Sequence, residues 1–263
     1  VYSFLSSLFR TFAERREGSE TINLSSMTHF SPKAVLFDMD GVLYNSMPNH
    51  AIAWQKSMKE FGIHMTAADA YATEGARGID TIREMVRRQQ GHDISLEEAQ
   101  RMYDVKTRCF HELPETQIFD GVLDLMAKIH AMGMSVNVVT GSGQKPLIER
   151  LLLDFGKYLD RDHITTAYDV TRGKPNPDPY LAGLRKAGNL QPWEGIVVEN
   201  APLGVHAGVA AGCFTIAVNS GPLPDEALLC EHPNVLYPSI RALCDDFEAL
   251  TPYVYYAGKA AQE

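Results

Sequence analysis

Hydrophobic residues follow two different spacings along this chain. The run Ala34-Val35-Leu36-Phe37 is continuous and of strand length, which indicates a strand that is buried on both faces. Between residues 47 and 113 the apolar residues recur at helical spacing, and no strand pattern interrupts them. From residue 121 onward, short apolar runs alternate with helical stretches. The pattern therefore predicts one strand, then a helical block, then an alternating segment of strands and helices.

The helical block is predicted to form a domain of its own. Its expected helices cover residues 44–62, 67–73, 80–90 and 95–112. Gly62 is a typical C-terminal stop and Thr66 is a suitable N-cap, while Ser95 and Glu98 form a capping-box signature. Because the block follows directly after a buried strand, we expect an inserted helical cap.

The alternating segment predicts a parallel sheet. Strands are expected at residues 134–139, 164–167, 196–198 and 214–218, with helices at 121–132, 144–155, 179–188 and 203–212. Short strands that alternate with helices form right-handed βαβ units. The predicted fold class is α/β, with a Rossmann-like parallel-sheet core over residues 32–44 and 118–250 and an inserted helical cap domain over residues 45–117.

The two ends of the chain are predicted to be tails, over residues 1–31 and 251–263. The first residue is Val rather than Met, and Met27 stands just before the first strand. One hypothesis is that Met27 is the native start. The intact mass of natively expressed protein tests it, and a mass that includes residues 1–26 would contradict it.

Charge and composition narrow the range of partners. The net charge of −9 argues against a nucleic-acid partner, because phosphate backbones bind basic surfaces. Cys109, Cys213, Cys230 and Cys244 form no C-x-x-C pair, so we expect free thiols and a cytoplasmic location. No apolar run reaches the roughly 18 residues of a membrane helix, so we expect no membrane partner. We also expect a monomer or a weak dimer.

Polar residues follow four of the predicted strands. They are Asp38-Met39-Asp40, Thr140-Gly141-Ser142-Gly143, Gly173-Lys174-Pro175 and Glu199-Asn200. Each segment alone is also ordinary turn, loop or helix-cap composition. Because ligands of open α/β sheets bind beyond the carboxyl ends of the strands, we expect the four segments to meet at one edge.

Together these segments suit phosphoryl transfer. A carboxylate can take a phosphoryl group as an aspartyl phosphate, and a second carboxylate can protonate the leaving group and then activate water. The transferring group carries charge on its equatorial oxygens, which hydroxyl donors and cations stabilise. Carboxylate and amide oxygens without soft ligands favour Mg²⁺ as the cofactor.

At these residues the chain resembles the haloacid dehalogenase superfamily. The resemblance rests on four ordered motifs and extends from about Ala34 to about Pro222. The motifs are Asp38-Met39-Asp40-Gly41, Thr140-Gly141-Ser142, Lys174-Pro175 and Val198-Glu199-Asn200. The cap after the first motif, with Pro177, Pro179 and Tyr180 after Lys174, is similar to the branch that contains β-phosphoglucomutase and small phosphatases.

The resemblance implies a role for each motif. Asp38 would be the nucleophile, and Asp40 would be the general acid and base whose backbone carbonyl also binds Mg²⁺. The residues expected to bind the transferring phosphoryl group are Thr140, Gly141, Ser142 and Lys174. The residues expected to hold the metal or its waters are Asp38, Asp40, Glu199 and Asn200. The cap would open and close over the site.

Two departures from the family pattern point to a specific substrate. Many relatives carry Asp where this chain has Asn200, so a compensating carboxylate is expected, and Glu74 on the cap is the candidate metal ligand. Two positions where mutases carry basic cap residues fall at Gly78 and Tyr103. Nearby, the candidate substrate-binding residues of the cap are His50, Arg77, Tyr103 and Lys106. A combination of residues is similar to a bacterial subgroup that hydrolyses inorganic pyrophosphate. It consists of Asp38, Asp40, Glu74-Gly75, Tyr103 and the segment from Glu199 to Val205.

Three other functions stay open at the level of sequence. The expected activity is a Mg²⁺-dependent phosphohydrolase that acts on a small phosphorylated substrate, most of all pyrophosphate. The alternatives are a β-phosphoglucomutase with the same nucleophile, and a phosphate-binding regulatory module that has lost catalysis. A dehalogenase fits poorly, because a halide site needs neither Asp40 nor the Thr140 and Lys174 phosphate cradle.

Overall fold

The structure of the protein is a computed structural model that describes residues 31–143 and 145–259. Its strands form one sheet in which every neighbouring pair runs parallel. In chain order they are β1 (Ala34–Phe37), β2 (Ser135–Val139), β3 (Ile164–Thr165), β4 (Gly195–Glu199), β5 (Phe214–Val218) and β6 (Val235–Tyr237). Across the sheet the order is β3-β2-β1-β4-β5-β6, so β1 lies between β2 and β4.

Strand β1 is covered on both faces, as its continuous apolar run predicts. Val35 and Phe37 join one hydrophobic cluster, whereas Ala34 and Leu36 join a second cluster on the opposite face. This division follows from the strand geometry, because successive side chains point to opposite sides. The sheet is therefore the middle layer of the core.

The three central strands end at the same level. Phe37 on β1 is aligned with Val138 on β2 and with Val198 on β4. The residues that follow these positions therefore leave the sheet side by side at its carboxyl edge. This register brings three of the four polar segments together.

Four helices follow β1 and form the cap. They are α1 (Met47–Glu60), α2 (Ala67–Ala72), α3 (Gly78–Gln90) and α4 (Leu96–His111). Their apolar faces pack on one another in a separate cluster, whose largest buried members include Trp54, Met58, Ile82, Met85 and Met102. This second core explains why the helical block can be inserted without disturbing the sheet.

The chain enters and leaves the cap through two segments that lie side by side. The backbone N–H of Asn45 donates to the carbonyl of Gln117 over 2.9 Å, and that of Phe119 donates to the carbonyl of Leu43 over 3.0 Å. Tyr44 and Ile118 also form an antiparallel bridge. The two connections between core and cap therefore support each other.

Six further helices cover the two faces of the sheet. They are α5 (Val122–Ala131), α6 (Lys145–Phe155), α7 (Asp178–Lys186), α8 (Pro202–Ala210), α9 (Asp225–Leu229) and α10 (Ile240–Lys259). Helices α5, α6 and α10 contribute to the cluster that contains Phe37, and α7 and α8 contribute to the one that contains Leu36. The arrangement is the expected three-layer α/β core.

The predicted fold class is confirmed, with differences in detail. Strand β3 is shorter than expected, because residues 167–169 form a 3₁₀ turn instead of continuing the strand. Helix α10 continues to Lys259, past the point where a tail was expected to start. The expected N-terminal tail, the Met27 hypothesis and residues 260–263 lie outside the described residues.

Two predictions from composition can be compared with the described chain. The cysteines at positions 109, 213, 230 and 244 are free, as expected from their spacing. Among residues 31–143 and 145–259, no helix is both long enough and apolar enough to span a membrane.

Candidate active site

The ammonium group of Lys174 lies where the polar segments meet. Its Nζ atom donates to Asp38 Oδ1 over 2.5 Å, to Glu199 Oε1 over 2.6 Å and to the carbonyl of Val139 over 3.1 Å. Three acceptors account for the three N–H groups of an ammonium. Burial disfavours the charge, but the attraction of Asp38 and Glu199 outweighs it and raises the pKa of Lys174. Lys174 is therefore a fixed positive charge beside the expected nucleophile.

Both oxygens of the buried Glu199 carboxylate are occupied by protein donors. Oε1 accepts from Lys174 and, over 2.7 Å, from the hydroxyl of Tyr180. Oε2 accepts from the backbone N–H groups of Asn200 and Ala201 over 3.0 and 3.3 Å. In this arrangement Glu199 holds Lys174 in place, with four donors around its carboxylate. Its expected role in holding the metal or its waters stays a prediction.

Asp38 is surrounded by other carboxylates. Burial raises the pKa of its carboxyl group to about 8 against the opposing charge of Lys174, and Glu199 and Asp40 add to the rise. Close by, the buried hydroxyl of Thr140 accepts the backbone N–H of Ser142 over 3.0 Å. A hydroxyl that accepts this bond still has its own proton to donate. Thr140 is thus suited to bind an anion in front of Asp38.

Asp40 contacts Ser46 and His50 directly, and Lys106 lies behind His50. Its Oδ1 atom accepts from Ser46 Oγ over 2.6 Å and contacts His50 Nε2 over 3.0 Å. Lys106 Nζ lies 2.6 Å from His50 Nδ1, and because an ammonium only donates, His50 must donate to Asp40 through Nε2. Burial, followed by the charge of Lys106, lowers the pKa of His50, so the ring is neutral.

These contacts favour the ionised form of Asp40. Burial alone would raise the pKa of its carboxyl group, but His50, Ser46 and the charge of Lys106 lower it to about 2. Asp38 and Asp40 are two residues apart and nevertheless have opposite environments. Such a divergence between neighbouring carboxyl groups is typical of an acid–base site.

Lys106 is a buried cation on the cap. Its side chain is 2% exposed, and its Nζ atom lies 5.2, 5.9 and 5.1 Å from the ring centroids of Trp54, Tyr103 and Phe110. Among the described residues, no carboxylate forms an ion pair with it. Burial lowers its pKa to about 8, with Asp40 opposing. The group is therefore a positive charge that lacks a counterion next to the cavity.

The cap and the core meet at Glu74 and Asn200. Asn200 Nδ2 donates to Glu74 Oε1 over 2.7 Å, and both side chains are buried. A Cβ atom on Gly41 would lie 2.0 Å from Asn200 Nδ2 and 2.6 Å from Glu74 Oε1, and Gly41 has a φ of +79°. Both the space and the backbone conformation therefore require glycine at position 41.

A small cavity lies between the cap and the core. Its volume is about 60 Å³, and Asp38, Asp40 and Thr140 line it from the core side. The cap side includes His50, Trp54, Glu74, Tyr103 and Lys106. Small-molecule sites are usually roughly 300–1,000 Å³, so this cavity suits a compact ligand.

A comparison with known protein families identifies the family of this chain. Residues 35–218, more than half of the chain, match the family of haloacid dehalogenase-like hydrolases. The chain belongs to this family. Hexitol phosphatase A of Escherichia coli (strain K12) is 34% identical over 192 residues, which are 72% of this chain and 83% of that protein. Phosphoglycolate phosphatase of Salmonella typhimurium is 28% identical over 232 residues, which are 80% and 90% of the two chains.

Solved structures show the same fold for this haloacid dehalogenase-like protein. A candidate beta-phosphoglucomutase from Bacteroides vulgatus is 45% identical, with a TM-score of 0.83, and the match covers 88% of this chain and 96% of that one. Beta-phosphoglucomutase from Clostridium difficile has a TM-score of 0.72 at 22% identity, covering 86% and 98%, which shows likeness in fold alone. These relatives support the predicted branch of the superfamily.

Haloacid dehalogenase-like phosphatases and phosphomutases generally use Mg²⁺, and the donors of this site fit that ion. Asn200 Oδ1 is buried and accepts no hydrogen bond from the described residues, so this oxygen would be available to a cation. Four carboxylates, those of Asp38, Asp40, Glu74 and Glu199, face two ammonium groups, so a further positive charge would balance the site. Within the described residues no cluster of three or more His, Cys, Asp or Glu side chains is arranged for a metal, which leaves amide and carbonyl oxygens as part of the donor set.

The structure brings most of the sequence-predicted residues together, with one exception. Gly141 and Ser142 line the cavity beside Thr140. Arg77 was expected to bind substrate, but its guanidinium pairs with Asp80 over 2.7 Å and lines a separate outer groove. The reason is local, because Arg77 is the N-cap of α3 and Asp80, three residues later in the first turn of that helix, pairs with it.

The site residues that were not predicted include Ser46, Trp54 and Tyr180. Ser46 and Trp54 carry no recognisable signal, because a serine in a linker and a tryptophan on an apolar helix face are ordinary features. Tyr180 stands within the quoted Pro-rich segment but was given no role. Its hydroxyl could have been suspected, since a tyrosine in an otherwise buried stretch needs a hydrogen-bond partner.

Proposed function

We propose that this protein is a Mg²⁺-dependent phosphohydrolase whose substrate is inorganic pyrophosphate. The observation that carries the proposal is the buried ammonium of Lys106, which forms no ion pair with a carboxylate of the described residues and lines the same cavity of about 60 Å³ as Asp38. A substrate with two linked phosphoryl groups would present one to Asp38 and the other to Lys106. The second anionic group would thus become the missing counterion of Lys106.

The residues supply each part of a two-step transfer. Asp38 attacks phosphorus and becomes an aspartyl phosphate, and the leaving phosphate departs toward the cap. Asp40 then takes a proton from water, which attacks the aspartyl phosphate and releases Asp38. Lys174 and Thr140 stabilise the charge of the transferring group.

Mg²⁺ would be held by Asp38, the carbonyl of Asp40, Asn200 and Glu74. When bound, it supplies positive charge that offsets the repulsion between the Asp38 carboxylate and the phosphate. The pKa of Asp38, which burial raises to about 8, shows how much this site opposes a negative nucleophile without such help.

The acid–base arrangement favours a phosphate leaving group over a sugar. The pKa of Asp40 is lowered to about 2, so the group is ionised at neutral pH and has no proton to give to a leaving group. A phosphate leaves readily without protonation, whereas a sugar alkoxide needs a proton from an acid. Tyr103, which lies against Gly78, also fills part of the space under the cap.

A sugar-phosphate mutase is the second candidate. It is favoured by the similarity to the Bacteroides vulgatus structure, which is named as a candidate beta-phosphoglucomutase and is 45% identical. The mutase would use the same nucleophile and would return the phosphoryl group to a sugar. The phosphatases among the relatives, of hexitol phosphates and phosphoglycolate, favour transfer to water instead.

A substrate screen with Mg²⁺ tests the proposal. Phosphate release is measured from pyrophosphate and from a panel of phosphate esters, and glucose 6-phosphate formation is measured from β-glucose 1-phosphate. We expect the highest kcat/KM on pyrophosphate. Efficient mutase turnover, or a clear preference for an ester, would overturn the choice of pyrophosphate.

The nucleophile is tested with a matched pair of variants. Asp38→Asn should lower the rate by several orders of magnitude, because an amide cannot form the aspartyl phosphate. Asp246→Asn is the control, since Asp246 accepts a hydrogen bond from Tyr237 in the core and lies outside the cavity. If both variants keep full activity, the protein is not an aspartyl-phosphate enzyme.

A further inference from the structure

Tyr180 is buried beneath the proposed catalytic residues. Its side chain is 0% exposed, and its hydroxyl donates to Glu199 Oε1 over 2.7 Å. The same oxygen accepts from Lys174, whose Nζ atom also lies 5.0 Å from the centroid of the Tyr180 ring. Tyr180 therefore contacts both the ammonium group and the carboxylate that holds it.

The Glu199 carboxylate has little freedom to move. Its second oxygen accepts two backbone N–H groups at the start of α8. A Cβ atom on Gly204 would lie 1.8 Å from Glu199 Oε1, so the carboxylate packs directly against the backbone of α8. The position of Lys174 is thus set by how strongly a fixed oxygen attracts it.

Two carboxylates, beside the carbonyl of Val139, share the ammonium of Lys174. Asp38 Oδ1 lies 2.5 Å from Nζ, and Glu199 Oε1 lies 2.6 Å away on another side. The Tyr180 hydroxyl satisfies part of the Glu199 charge, which weakens the hold of Glu199 on Lys174. Without that hydroxyl, Lys174 would be the one remaining side-chain donor to Oε1 and would be drawn away from Asp38.

We propose that Tyr180 is a positioning residue that keeps Lys174 against the nucleophile by sharing Oε1 of Glu199. This inference rests on the proposed roles of Asp38 and Lys174, but it does not depend on which phosphate compound is the substrate. Tyr180 does not line the cavity, so it acts through Glu199 and Lys174.

The variant Tyr180→Phe removes the hydroxyl and keeps the ring. Because a hydrogen bond to a charged group is stronger than one between neutral groups, its loss should lower kcat about tenfold. The rate is measured on the substrate that the native protein hydrolyses best. KM and the Mg²⁺ concentration at half-maximal rate should stay unchanged, because neither the cap nor the metal donors are altered. An unchanged kcat would overturn the proposal.

A second substitution separates positioning from simple packing. In a Glu199→Gln background, Tyr180→Phe should have little further effect on kcat, because the two residues act on Lys174 as a unit. If the two losses multiply independently, Tyr180 does not act through Glu199 and the proposal fails.

Tyr237→Phe is the matched control. Tyr237 is also buried, and its hydroxyl donates to the carboxylate of Asp246 over 2.5 Å outside the cavity. The Tyr237→Phe variant should lose about as much thermal stability as Tyr180→Phe but keep its kcat. An equal loss of kcat in both variants would contradict a specific role for Tyr180. If Asp38→Asn abolishes activity and Tyr180→Phe does not, this inference fails while the proposed function stands.

Discussion

Asn200 donates its side-chain N–H to Glu74 over 2.7 Å, and this bond joins the end of β4 to the cap. The two residues are 126 positions apart in sequence and meet above Gly41, where a side chain would not fit. An amide in place of a carboxylate makes the contact possible, because two carboxylates at this distance would repel each other. The cap therefore contributes the Glu74 carboxyl group to the site.

Glu74→Gln should raise the requirement for Mg²⁺. The substitution removes a negative charge from the proposed metal donors and keeps the shape, so the Mg²⁺ concentration at half-maximal rate should rise at least about tenfold. The metal-free protein should not lose stability, because burial raises the pKa of Glu74 and shows that its charge is unfavourable there. Activity as a function of Mg²⁺ and thermal unfolding without Mg²⁺ measure the two effects.

Glu84→Gln is the control for that experiment, since Glu84 pairs with Arg87 at an exposed position of the same cap. It should change neither quantity. An unaltered Mg²⁺ requirement in Glu74→Gln would show that the contact with Asn200 is structural.

Substrate affinity should depend on the protonation of Lys106. Burial lowers the pKa of this group to about 8, so the ammonium is charged below pH 8 and loses its proton as the pH rises further. KM for an anionic substrate should therefore increase above about pH 8. In Lys106→Arg the increase should disappear, because a guanidinium stays charged over this range. A KM that is flat from pH 7 to 9.5 in the native protein would contradict a role for Lys106 in binding.

Lys174→Met should destabilise the fold as well as abolish activity. Removing one partner of a buried ion pair typically costs about 3–5 kcal/mol, and here both Asp38 and Glu199 would lose their cation. Lys186→Met is the comparison, because Lys186 pairs with Asp169 at a partly exposed position, where such pairs contribute about 1 kcal/mol or less. Chemical denaturation measures the free energy of unfolding of both variants. An equal loss in Lys174→Met and Lys186→Met would argue against a buried charge network.

Gly141→Ala should hinder closure of the cap. A Cβ atom at position 141 would lie 3.0 Å from the carbonyl oxygen of Gly75 and 3.3 Å from that of Ala76, both on the cap. Overpacking of this kind costs about 1–3 kcal/mol, which should appear as lower kcat/KM rather than as lower stability if the cap simply stays further open.

Gly133→Ala is the control for Gly141→Ala, because it should affect stability and leave kcat/KM unchanged. Gly133 has open space around it but a φ of +75°, so alanine should lower stability without changing the rate. A Gly141→Ala variant that unfolds earlier at unchanged kcat/KM would show that the contact with Gly75 does not limit catalysis.

The sequence was sufficient to predict the core of the fold and the place of the site. The continuous apolar run of β1 required cover on both faces, and the periodicity after it required helices. Because parallel strands end at a common edge, Asp38, Thr140 and Glu199 could be expected to meet there. The order of the strands and the extent of α10 depend on packing between distant segments, which no local pattern records.

The roles of individual side chains were harder to predict than their places. Arg77 had the expected charge and lay one residue before the expected position, yet Asp80 takes its guanidinium. Glu199 accepts from Lys174, Tyr180 and two backbone N–H groups, which no local pattern indicated, and its expected role toward the metal stays a prediction. In both cases the role of the side chain depends on which neighbouring groups bind it. Those neighbours are known only once the three-dimensional structure is known.

Lys174 and Lys106 differ in how firmly they are held, and this difference bears on how the protein could acquire new substrates. Lys174 is fixed by three acceptors, so almost any change near it disturbs the nucleophile. Lys106 makes one hydrogen bond, to His50, and otherwise touches aromatic rings that tolerate rearrangement. Directed evolution toward larger or less charged phosphate esters should therefore find its productive substitutions at Tyr103 and Lys106, while the sheet edge is left as it is.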